Sequence, residues 1–131
     1  MNLKRIVQEV LINYPLPIHG DHGVAHWARV LENGRRLSDL TKANLTVVSL
    51  FAVLHDSRRI NEFQDPFHGL RGADLAATLR GRLFDISDDE FQLLYLACEG
   101  QTAAPASISF HNSSVRTGGL NCRTNAIGES L

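Results

Sequence analysis

The sequence predicts an all-α fold, a compact bundle of about five helices followed by an irregular C-terminal segment. Apolar residues recur at helical spacing in one segment after another, and residues that start and stop helices punctuate them. No segment reads as a strand with a partner strand to pair with.

Leu3, Ile6, Val7, Val10 and Leu11 form the apolar face of the first helix, which Pro15 and Pro17 stop. A polar, histidine-rich turn follows from Ile18 to Gly23. Trp27, Val30, Leu31, Gly34, Leu37 and Leu40 then lie on one face of a second helix. Asn33-Gly34 is also a hairpin-turn dipeptide, but its apolar neighbours follow a period of 3.6 rather than 2, which favours helix. Asn44 is the expected N-cap of a third helix, LTVVSLFAVLHD, apolar nearly all round and therefore central. Asp65-Pro66 reads as an N-cap with proline at the first helical position, opening a fourth helix through about Leu83. Its small residues Gly69, Gly72, Ala73, Ala76 and Ala77 mark close packing. Ser87 through Glu90 has the capping-box pattern, and Phe91, Leu94, Tyr95 and Cys98 supply the buried face of a fifth helix.

Composition changes after the fifth helix. Residues 103–131 hold only three charged residues, Arg116, Arg123 and Glu129, and no helical period runs through them. The expected division is a helical domain over residues 1–102 and an irregular or poorly ordered segment over 103–131.

Bulk numbers narrow the function. The 131 residues suit one domain, and 13 Lys+Arg against 14 Asp+Glu give a net charge of -1, so general binding to nucleic acid is disfavoured. Two cysteines without a CxxC pair exclude a disulfide scaffold or a cysteine-based zinc module. The N-terminus lacks a continuous signal-peptide core and no run approaches eighteen apolar residues, so a cytoplasmic protein without membrane attachment is expected.

Chemistry concentrates in the histidines. Of six, His19, His22, His26, His55 and His68 fall within a fifty-residue window. His55-Asp56 closes the apolar third helix, and a nitrogen donor beside a charge-compensating carboxylate suits a divalent metal. His22 and His26 stand four apart, and His26 shares a face with Val30 and Leu37, which turns it inward. The plainer reading of each residue alone is a hydrogen-bonded core histidine or a turn aspartate.

The stretch His26-Trp27-Ala28-Arg29-Val30, followed by Leu50 through Asp56, resembles the HD-domain superfamily of metal-dependent phosphohydrolases. HDSRRINEFQDPFHG, from His55 to Gly69, is similar to a stretch of small bacterial members, and the likeness runs from about His19 to Thr102. The resemblance implies His26, His55 and Asp56 as metal ligands and a fourth ligand, an aspartate, on a later helix. This sequence departs there, because no Asp follows Asp89. Two explanations stand: a degenerate domain, or a C-terminus translated out of register with its relatives, which the abrupt loss of helical character favours.

The expected cofactor is a divalent ion, with mixed N/O ligation suiting Mn, Fe, Co, Ni or Zn. Asp56, His68 and Arg58 are the candidate catalytic residues, and His22, Arg58 and Arg59 the candidates for binding a small phosphorylated molecule or nucleotide. Glu62 and Asp65 are expected to cap and pair on the surface, and Cys98 to lie in the core. The competing function is a non-catalytic helical module for metal, nucleotide or protein. A bundle lacking its last helix would expose an apolar face, from which a homo-oligomer is expected.

Overall fold

A computed structural model describes residues 1–101. The expectations for segment 103–131 lie outside the described residues. Five α-helices follow in chain order: α1 (Leu3–Ile12), α2 (Val24–Thr41), α3 (Leu45–Leu54), α4 (His68–Leu79) and α5 (Asp88–Gly100). The all-α expectation therefore holds, and among the described residues no helix is long and apolar enough to cross a membrane.

The hub is α3, which packs against each of the other four helices. Asn44 caps it as expected, accepting the Val47 N–H at 3.1 Å, and its amide also donates to Glu90 on α5 at 2.6 Å. Every α3 residue from Val47 to Leu54 is buried, and each buried Leu or Phe contributes about 1.5–3 kcal/mol by leaving water. Ile6 and Val10 of α1, Trp27 of α2, Leu79 of α4 and Leu94 of α5 close around it.

Some faces differ from expectation. On α2, Gly34 lies inside the helix and buried, so Asn33-Gly34 forms no hairpin. Leu40, however, is 81% exposed and Ser38 takes the inward position one turn after Gly34. On α5 the buried residues are Leu93, Leu94, Ala97 and Cys98, while Phe91 and Tyr95 are half-buried at the flank. The Ser87–Glu90 capping box forms as expected.

The fourth helix is shorter at both ends than its pattern suggests. Asp65 does not cap it, because its carboxylate accepts the Ile60 N–H and pairs with Arg71 instead. The helix starts three residues later, at His68. It ends before Arg80, which is extended, and Gly81 follows at φ +78° with its N–H on the Phe84 carbonyl. Gly69 lies under the Cys98 carbonyl of α5 and Gly72 under the Leu54 carbonyl of α3, each too close for a Cβ. Ala73 and Ala76 are fully buried, whereas Ala77 faces solvent. Gly72 thus seats the start of α4 against the end of α3, where the site lies, and Gly69 seats it against α5.

Candidate metal centre

His55 is the C-cap of α3 and Asp56 the next residue, both 3% exposed. The His55 ring stacks on Phe51, one turn earlier, with centroids 4.9 Å apart. Its Nδ1–H donates to the Phe51 carbonyl at 2.9 Å. A carbonyl can only accept, so that bond fixes the hydrogen on Nδ1 and leaves Nε2 to face the site. His26, in the first turn of α2, brings its own Nε2 to the same point.

The three donor atoms form a near-equilateral triangle. His26 Nε2 lies 3.2 Å from His55 Nε2, and each lies 3.3 Å from Asp56 Oδ2. Donors at about 2.0–2.1 Å from a tetrahedral ion stand about 3.3–3.4 Å from one another, so these edges fit such an ion closely. Two imidazole nitrogens and one carboxylate oxygen also suit a borderline transition metal better than Mg or Ca. His26, His55 and Asp56 are the one such group among the described residues, and they could hold a metal ion. No later aspartate joins them there.

Burial opposes the charge on Asp56. Its contacts with the His26 and His55 rings and the nearby Arg59 charge nevertheless hold its carboxyl well below the ordinary carboxylate range. Its second oxygen looks elsewhere. Oδ1 lies 3.3 Å from His68 Nε2 and 3.6 Å from Arg59 Nη1. His68 gives its Nδ1–H to the Asp65 carbonyl at 2.6 Å, and burial pulls its basicity down, with the Arg59 charge acting in the same direction. The bond to Asp65 acts the other way, but the net effect favours neutral imidazole at the centre.

Arg58 and Arg59 diverge. Arg58 turns to α1, donating to the Val10 carbonyl at 3.3 Å and to the carbonyl of its neighbour Ser57 at 3.0 Å. Arg59 turns to the site and is 6% exposed, with Nε on the Asn61 carbonyl and Nη2 on the Phe63 carbonyl at 2.7 Å. Its guanidinium is held by internal acceptors.

His22 stands beside His26, with ring centroids 5.8 Å apart, and its Nδ1 pairs with Glu62 Oε2 at 2.5 Å. The Tyr14 hydroxyl donates to the His22 carbonyl at 2.8 Å. Burial, with Glu62 and Asp56 nearby, pushes that phenol up to about 12. Glu62 Oε1 and Trp27 Nε1 are buried without hydrogen-bond partners. His19 is exposed on the preceding turn, and Cys98 is a core residue whose thiol burial pushes up.

Glu62 and Asp65 are more than the surface residues expected. Asp65 is 6% exposed, and with Arg71 it pins the loop that delivers Arg59 and His68. Glu62 lies 40 residues from His22 in the chain, and no local pattern signals their pairing. Comparison with protein-family profiles, curated proteins and solved structures finds no match.

Proposed function

We propose that the protein is a metal-dependent phosphohydrolase acting on a small phosphoester such as a nucleotide. The observation that carries the proposal is the triangle of His26 Nε2, His55 Nε2 and Asp56 Oδ2, with edges of 3.2–3.3 Å. Three protein donors leave coordination positions open, the pattern of catalytic rather than structural sites. A divalent ion held there supplies a water of lowered pKa and neutralises phosphoryl charge. The chain's own residues supply the rest. Phe51 fixes the His55 tautomer through its carbonyl, and His26 is partly exposed, so the centre opens to solvent on the α2 side. His22, oriented by Glu62, stands on that open side, where a ligand would approach. The sequence resemblance to HD-domain phosphohydrolases supports the same reading.

One observation favours a second reading, a binding module without catalysis. Ile60, Phe63 and Phe67, on the loop that carries Arg59, are 64%, 86% and 63% exposed. Metal analysis and a phosphoester panel separate the two. Chain purified without chelator and supplied with Mn²⁺ or Co²⁺ is expected to release phosphate from a panel member, and Asp56→Ala to abolish both metal content and release. Stoichiometric metal without hydrolysis of any panel member supports the module. Substoichiometric metal, unchanged in Asp56→Ala, sinks the metal reading in both.

A further inference from the structure

We infer that the Arg59 guanidinium fills the position a second divalent cation would take beside Asp56, so that the centre binds one ion per chain. The inference rests on the metal reading proposed above. Asp56 presents one oxygen to each of two neighbourhoods. Oδ2 faces His26 and His55 at 3.3 Å, and Oδ1 faces His68 Nε2 at the same distance. A carboxylate oxygen and an imidazole nitrogen at that separation form the same donor edge on both sides. By donor type, the Oδ1 side is half of a second cation site.

A protein cation already stands there. Arg59 Nη1 lies 3.6 Å from Asp56 Oδ1 and 3.2 Å from His68 Nε2. With Nε and Nη2 bound to the Asn61 and Phe63 carbonyls, the buried guanidinium is held from three sides. Of the carboxylates on the same loop, Asp65 is engaged with Arg71 and Glu62 Oε2 with His22. The formal charges of Asp56 and Arg59 cancel, which leaves the charge of an ion in the triangle for an anionic ligand. Unlike a second metal, this cation cannot be removed by a chelator.

The test counts ions. The full chain is loaded with Mn²⁺, desalted, and read by elemental analysis and electron paramagnetic resonance. Wild type is expected to hold one Mn²⁺ per chain with the hyperfine pattern of an isolated ion. Arg59→Met, which frees Asp56 Oδ1 and His68, is expected to take a second Mn²⁺ with exchange-coupled signals. Arg59→Lys and His68→Ala are expected to stay at one. Two coupled ions in wild type, or a folded Arg59→Met chain that stays at one, overturns the inference. Should Arg59→Met fail to fold, wild type and His68→Ala decide it, since loss of the ion in His68→Ala would make His68 a ligand. A wild-type chain without Mn²⁺ refutes the metal reading itself, a result distinct from two ions.

Discussion

Gly72→Ala tests whether the seating of α4 on the end of α3 sets the geometry of the centre. The added Cβ meets the Leu54 carbonyl well inside contact distance, and the His55 carbonyl lies 3.3 Å away. Neither is the end of a flexible side chain, so α4 has to shift, carrying His68 with it. Overpacking of this kind costs about 2 kcal/mol, which lowers the melting temperature of a domain this size by about 8–16 °C. Displacement by a fraction of an ångström beside the carbonyls of the ligand-bearing turn is expected to weaken Mn²⁺ binding too. Gly81→Ala is the control. Gly81 sits at φ +78° with nothing near its Cβ position, and about 18 Å of helix separates it from the start of α4. Its left-handed backbone makes alanine cost about 1 kcal/mol without touching the centre. Thermal unfolding by circular dichroism and Mn²⁺ titration read both variants. If Gly72→Ala melts with wild type and binds Mn²⁺ equally well, the seating argument fails. If Gly81→Ala weakens Mn²⁺ binding as much as Gly72→Ala, the effect follows stability rather than geometry.

Asp65→Asn is expected to cost about 2 kcal/mol by weakening a buried charged hydrogen-bond pair with Arg71, measured by urea unfolding. Burial opposes the Asp65 charge, but the Ile60 N–H and Arg71 hold its folded-state pKa below the ordinary value. The unfolded chain therefore binds the proton first as pH falls. The stability gap to Asp65→Asn should be full above about pH 4 and close at lower pH, and a gap independent of pH down to acid unfolding would contradict this. Ser87→Ala removes the α5 capping box at a cost of about 1 kcal/mol in thermal unfolding, and a matching loss of metal would contradict the separation of that cap from the centre. Glu62→Ala releases His22 but leaves the three-donor triangle intact, so Mn²⁺ content should be unchanged; loss of the ion would make the His22–Glu62 pair part of the ligand set.

Local signals were legible and long-range ones were not. The 3.6 period placed all five helices, and Asn44 and Ser87 cap where their side chains suggest, because capping is settled within four residues. The donor triangle was visible as residue types, since a helix end presents His55 and Asp56 together. What the adjacent Arg58 and Arg59 do depends on the path of the following loop. That path is set by Asp65, whose sequence context offers an equally good local use as an N-cap. Tertiary pairing with Arg71 and Ile60 won, moved the start of α4 to His68, and sent one arginine to each side. The His22–Glu62 pair is a meeting of two loops and leaves no periodic trace.

The bond from the His55 ring to the Phe51 carbonyl lies within one turn of one helix. The His55 donor is thus oriented as soon as α3 coils, Asp56 follows it in the chain, and only His26 arrives from another segment, 29 residues away. An ion in the triangle would act as a staple between a preset half and a docking half. Stripping it should loosen the first turn of α2 while α3 keeps its protection, a difference that amide hydrogen exchange resolves segment by segment.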